Sequence, residues 1–455
     1  MRRVVLVIAV LAACLVTAPA RGLPIVPPLR TSPNVQLVTN VPGSFAGLAF
    51  KGHYAYATGW ATGLTVFDIS KPEAPSPVGA LPLPHFENED VDLCGNTLLI
   101  ANDREKDDYG GVLYVINIAD PSTPALLATL PLGLTGTGRG PGHIANFVKA
   151  DCSQAWIDGG NKVEVIDLKD PAAPVDLGSF QSYASVGPDP NHPAAFVVSH
   201  DSELDSTGAV WSVGGGGVAG YRLTADPLHP RAVASSGIEG VNIDFDGTTS
   251  PYNDFILHNT KRASPSTLLV TEEDYIDQQE AQPGSCNGQG KFETWHIQSG
   301  AGLMRPIDTW KTELNGFLAG GSAQDSKAPV TVNCSSHWFD YRNGVAAVGW
   351  YEQGVRFLDV RDPRNIRQVG YYLPADGATW AAYWVPGSRD LVYTADPARG
   401  LDVLRISNSA DPSAPTVKAP ILDEWFGPAG TPAGMTGFAP TGLYGWSCVL
   451  PKPIG

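Results

Sequence analysis

Along this chain the apolar, β-branched and aromatic positions fall in short runs, divided by Gly, Pro, Asn or charged residues. Strands joined by hairpin turns require that spacing. The pattern is fullest over residues 334–371, CSSHWFDYRNGVAAVGWYEQGVRFLDVRDPRNIRQVGY. An opening His337 leads to an apolar run at 345–350, a Gly-led strand at 354–360, an Asp362-Pro363 turn and a closing strand ending near Tyr371. Degenerate copies of this unit recur. In the first copy the same order predicts strands at 48–50, 54–58, 64–69 and 78–81.

The Pro after the third strand marks each copy, as Pro72, Pro121, Pro171, Pro227, Pro363 and Pro412, at intervals of 49, 50, 56, 136 and 49 residues. The long interval holds two units. One of them lies at 266–299, with an inserted loop, GSCNGQG, and no Asp-Pro. Pro fixes φ and removes a donor, so the third strand must stop there. Seven units of four antiparallel strands, each about 40–50 residues long, predict an all-β seven-bladed β-propeller. Residues 34–41, NVQLVTNV, follow Pro33 as closing strands follow the Asp-Pro turns elsewhere. They are expected to add the outer strand of the seventh blade and so close the ring, which leaves fewer free sheet edges. The expected organisation is a signal peptide at 1–20, a linker at 21–33, the propeller at 34–412 and a Gly/Pro/aromatic strap at 413–455.

Composition agrees with a turn-rich β protein: 50 Gly and 39 Pro among 455 residues, with 43% apolar. The net charge of -16 excludes a nucleic-acid partner, which needs a basic footprint. Arg2 and Arg3, an apolar core at 4–16 and Ala18-Pro19-Ala20 form a secretory signal pattern, so export is expected, secreted or at the cell surface. Leu11-Ala12-Ala13-Cys14 also resembles a lipobox, which makes a lipid anchor on Cys14 the alternative. No segment is apolar enough to span a bilayer. Export permits disulfides. Cys94 and Cys152 each lie nine residues after a histidine, His85 and His143, and so hold equivalent places in successive units, where a bridge is reasonable. Cys286 and Cys334 are the next candidate pair, leaving Cys448 single.

The repeats GLTVFDISKPEAP, VEVIDLKDPAAP and GVRFLDVRDP resemble those of LVIVD-repeat proteins, secreted or surface β-propellers of bacteria. The resemblance covers about residues 44–412 and implies the fold without implying a reaction.

Aligning the units on their second strands exposes a residue that the repeat does not require. His85, His143 and His337 stand 13 residues before the matched positions Leu98, Trp156 and Trp350, and His200 and His258 hold comparable places. Each opens the innermost strand of a blade, which directs it to the mouth of the central channel. Neutral imidazole is the commonest ligand of copper, iron and zinc, so these five are candidate metal ligands. Glu87, Glu89, Asp90, Asp201, Glu203, Glu272 and Glu273 are candidate partners that orient the rings. In layout the set resembles propeller oxygenases and copper oxidases whose channel histidines hold a metal. The competing use is structural, since a histidine can join neighbouring blades through its two ring nitrogens.

Trp380, Tyr383 and Trp384 of the seventh unit are expected to offer an aromatic wall, so that Trp380, Tyr383, Glu87 and Asp201 form a candidate ligand-binding set. Residues 242–247, NIDFDG, start like a calcium loop, but Asn253 stands where a bidentate Glu is needed, so an Asp-Gly turn is the better expectation. The glycine-rich 136–142 and 214–217 do not lead into helices and make no phosphate cradle. No GxSxG or HExxH occurs, and no catalytic residue can be assigned. Three functions follow: a propeller binding a ligand, metal, small molecule or surface protein at a histidine-lined mouth, a metal-dependent oxidoreductase using those histidines, or a structural surface scaffold.

Overall fold

The computed structural model describes residues 30–59, 62–83, 90–102, 111–132, 142–160, 162–184, 199–236, 255–274, 290–300, 302–319, 335–374 and 377–421. Seven antiparallel sheets form the blades of a β-propeller. Blade 1 is Leu48–Lys51, Tyr54–Gly59, Gly63–Asp68 and Ser76–Leu81, each strand paired with the next. Blades 2 to 6 repeat that order. Blade 5 is the unit lacking Asp-Pro and comprises Phe255–Ser264, Thr267–Asp274, Phe292–His296 and Arg305–Trp310.

Blade 7 takes its fourth strand from the other end of the chain. Val35–Val41 pairs antiparallel with Leu401–Ile406, from Val35 opposite Ile406 to Val41 opposite Leu401. The expected closure is therefore present. The chain also reaches further back than the expected linker implies. Arg30 and Thr31 pair with Leu373 and Tyr372 and make a fifth strand on blade 6.

The repeat is explained by backbone chemistry. At the end of the third strand, Asp68, Asn117, Asp167 and Asp359 each accept the N–H two residues on. Within the turn, Asp120, Asp170, Asp226, Asp362 and Asp411 do the same. Pro sets φ and the carboxylate supplies the missing acceptor, so each turn is held by local bonds. The glycine that leads the third strand is also required. Gly63 and Gly354 have φ of 84° and 71°, and a Cβ on either would lie 2.4 or 2.0 Å from the carbonyl oxygen of Leu81 or Tyr372.

The core is divided into layers between blades. Phe67, Tyr383, Tyr393 and Val403 join blades 7 and 1, and Val345, Phe357, Trp384 and Ile406 join blades 6 and 7. Similar apolar sets fill the other five interfaces. Cys94 and Cys152 form a disulfide with Cα atoms 5.5 Å apart, tying the inner hairpins of blades 2 and 3. Cys286, Cys334 and Cys448 lie outside the described residues, as do 1–29, which hold the expected signal, and residues 242–247. Of the expected strap, residues 413–421 are described. Val417 and Ala414 bond to Gln368 and Arg367 on the outer strand of blade 6. No helix among the described residues is long and apolar enough to cross a membrane.

Candidate metal centre and channel

In blades 3 and 6 the start of the inner strand is fixed by backbone bonds to its neighbours. In blade 6, His337 N–H bonds to Gly349 O, and Trp338 N–H bonds to Trp380 O of blade 7. Gly349 has to be small, because a Cβ there would sit 2.7 Å from Trp380 O. In blade 3, His143 N–H bonds to Asp158 O. Blades 3 to 7 each bring one residue into a row at the axis.

His143, His200, His258 and His337 occupy that row in order, all buried. Ring centroids are 4.6, 4.0 and 3.9 Å apart from each histidine to the next. Trp380 ends the row, 4.5 Å from His337. His85 falls outside the described residues, and so do Glu87 and Glu89.

Two of the rings reveal their protonation. His200 Nδ1 lies 2.8 Å from the backbone oxygen of His258, and His337 Nδ1 lies 2.8 Å from that of Trp380. A carbonyl only accepts, so each Nδ1 carries the proton and, in the neutral ring, Nε2 presents its lone pair. His143 Nε2 is 3.0 Å from His200 Nε2. Glu273, from the second strand of blade 5, comes 3.8 Å from His258 Nε2 and 4.0 Å from His337 Nε2. Tyr351 donates its hydroxyl to Glu273. Ligand atoms of His200, His258 and Glu273 lie within 4.8 Å of one another, which no other such trio among the described residues matches. Next to His143, burial pushes the Asp158 carboxyl up to about 6, while the hydroxyls of Ser199 and Ser202 and the His143 ring pull the other way.

The far ends of the same inner strands carry different chemistry. All seven blades contribute to a cavity of about 440 Å³, lined by Phe50, Asp92, Asn146, Asp201, Lys261 and Tyr383 among others. Glu203 accepts from Lys261 Nζ at 3.0 Å through both oxygens. Asn146 donates to Asp201 Oδ1 at 2.8 Å. Asp92 accepts from Phe147 N–H of blade 3, and Asp340 accepts from Trp384 N–H of blade 7. Burial, with the like charges of Glu203, Asp158 and Asp90, holds Asp201 well above the usual carboxylate range. Burial pulls Lys261 down, but Glu203 and Asp340 outweigh it and hold the ammonium above its ordinary value.

The expected aromatic wall is not a single surface. Trp380 belongs to the histidine row, and Tyr383 lines the cavity at the other end. Trp384 packs between blades 6 and 7, its indole N–H on Val345 O. Of the expected acidic neighbours among the described residues, Glu273 is the one that comes within 4.0 Å of the ring nitrogens. Glu272 instead accepts from Gly290 N–H and pairs with the buried Lys291. Sequence reasoning missed Tyr351 and Lys261. Lys261 was detectable as a lone ammonium within an inner strand, whereas nothing marks Tyr351 before the blades are assembled.

Fold and axis together define a seven-bladed propeller with a histidine row at one end of its channel and carboxylates at the other. Residues 42–81, which span blade 1, match the LVIVD repeat family. No curated protein matches the chain. Among solved structures the chain is similar to the WD40 repeats of RRP9, at 10% identity over 84% of this chain and 100% of that one, with TM-score 0.48. It is similar to the WD40 β-propeller domain of Doa1, at 10% identity over 83% and 99%, with TM-score 0.49. It is also similar to a Bacteroides uniformis protein provisionally named a 6-phosphogluconolactonase, at 15% identity over 78% and 87%, with TM-score 0.49.

Proposed function

We propose that this propeller is an exported metal-binding protein whose centre is built from His200, His258 and Glu273, with His143 and His337 flanking. The observation that carries this is the pair of Nδ1–H bonds from His200 and His337 to carbonyls of the next blade. Ligating histidines characteristically spend one ring nitrogen in this way, which fixes the tautomer and aims the other nitrogen at the ion. The bond that joins blades and the bond that would hold a metal thus use opposite sides of one ring. Two imidazoles and a carboxylate suit zinc, copper or iron better than calcium, which prefers oxygen donors throughout. Export rests on the signal pattern, and the Cys94–Cys152 disulfide is compatible with it.

A second function, metal-dependent oxidoreductase, is favoured by Tyr351. Its hydroxyl bonds the same Glu273, and its ring contacts His337 and Trp380 at 5.1 and 5.5 Å. A phenol and an indole beside a metal carboxylate could pass electrons to it, a role that binding alone does not need.

Metal analysis of the purified protein tests the centre. The expected result is a transition metal at about one per chain, lost when His200→Ala and His258→Ala are combined in a chain that still folds. Absence of bound metal after incubation with zinc, copper(II) or iron(II), or full retention in the double variant, overturns the proposal. Oxygen uptake by loaded protein, abolished by Tyr351→Phe while metal content holds, would favour the oxidoreductase.

A further inference from the structure

The cavity at the far end of the channel carries a second inference, independent of any metal. Its wall holds five carboxylates, from Asp90, Asp92, Asp201, Glu203 and Asp340, against two ammonium groups, from Lys149 and Lys261. Several of these acids are already committed. Asp92 and Asp340 clamp neighbouring blades through backbone N–H groups, and Glu203 holds Lys261. Asp201 is not fully used. It is 1% exposed and lines the cavity. Its Oδ1 takes the Asn146 amide, while its buried Oδ2 receives no hydrogen bond from any described residue. A buried carboxylate oxygen without a donor is costly, and a cationic donor from outside would relieve that cost.

The shape of the cavity says which cation fits. The carboxylates around it do not converge as metal ligands, since the histidine-end trio is the one such grouping among the described residues. A bare divalent ion would need several oxygens within about 2.3–2.6 Å of one point. Aromatic side chains share the wall with the acids: Phe50, Phe147, Trp338 and Tyr383 line it, with Phe50 edge-on to Tyr383 at 6.4 Å. The volume, about 440 Å³, lies within the range of small-molecule sites. A second hollow of about 290 Å³ shares Glu203, Leu204, Lys261 and Asp340 with the first and extends the space along the inner strands.

We propose that this cavity binds a small organic cation, an alkylammonium compound whose N–H groups bond Asp201 Oδ2 and whose carbon chain lies against Phe50, Trp338 and Tyr383. Acids attract and orient the charge, and the aromatic faces cover the chain and add cation–π attraction. Lys261 keeps Glu203 neutralised, so the charge of the pocket is set by a balance that one substitution can shift.

Calorimetric titration with hexylammonium chloride at neutral pH, set against hexan-1-ol, tests this without any variant. The expected result is binding of the ammonium compound, with the alcohol at least about ten-fold weaker, the discrimination one charge-assisted hydrogen bond supplies. Asp201→Asn, with its melting temperature confirmed, should weaken hexylammonium by about ten-fold or more. Lys261→Met releases Glu203 and should tighten it, an effect that a merely structural lysine would not produce. Glu273→Gln should leave it bound, which separates this site from the metal centre. Equal affinity for the alcohol, no binding at millimolar hexylammonium, or undiminished binding in folded Asp201→Asn overturns the proposal.

Discussion

In blades 2, 3, 4 and 6 the turn after the third strand closes in the same way, with an Asp carboxylate accepting the N–H two residues on. The inner strands of blades 3 to 6 share an opening histidine but otherwise differ. Blade 3 presents His143 and Asn146, blade 4 His200, Asp201 and Glu203, blade 5 His258 and Lys261, and blade 6 His337 and Asp340. Blades 2, 3, 4 and 6 need the turn for the same local reason, so substitutions there should be interchangeable between them. The inner strands meet at the axis, where each residue faces a different neighbour, so their substitutions should be singular.

The largest test of that difference is the disulfide, which joins the inner hairpins of blades 2 and 3 across 58 residues. Replacing Cys94 and Cys152 together by Ser should cost roughly 4 kcal/mol of stability through loop-closure entropy. Chemical denaturation of the oxidised protein and the variant measures it. An unchanged midpoint would show that ring closure already holds these blades as firmly as the covalent bond.

A smaller and more specific test uses pH. Asp92 is partly buried, and burial pushes its carboxyl from 3.8 up to about 6, against the N–H bonds of Phe147 and Leu93. A carboxyl that binds its proton more tightly in the folded state favours folding at low pH. That contribution is complete below the unfolded value and disappears as pH rises through about 6. Asp92→Asn removes the dependence. Between pH 5 and pH 8 the stability difference between wild type and variant should shift by about 1 kcal/mol, discounted for partial exposure, with wild type relatively better at low pH. Urea titrations of both proteins at the two pH values decide it, and parallel pH profiles would remove Asp92 as the source.

What was legible beforehand follows the same division. The blade count, the hidden fifth unit and the closing strand at Val35–Val41 could all be read from the chain. Pro, Asp and Gly at the turns act on their own backbone within two residues, so their meaning survives without tertiary context. The histidine row was legible because one residue type recurs at one register. Glu273 and Tyr351 could not be assigned in the same way. They reach the row from the second strand of blade 5 and the turn after the second strand of blade 6, and Tyr351 bonds Glu273 across 78 positions. The Lys261–Glu203 pair likewise forms across 58 positions and two blades. Contacts of that kind exist only once the ring has set which inner strands are adjacent.

The smallest test concerns the repeat itself. Asp170 and Asp362 each accept one N–H, at 3.0 Å, in the turns of blades 3 and 6. Replacing either by Ala should cost about 1 kcal/mol, the net value of one such bond. The two sites lie in separate blades and share no partner, so the double variant should show the sum to within about 0.5 kcal/mol. Equal and additive losses, measured by urea denaturation, would confirm that the turns are independent local devices. A markedly larger loss in one blade would mean that its turn also carries an interblade contact. Blade 6 is where that exception is to be sought, because Pro363 O there accepts the Thr294 hydroxyl of blade 5.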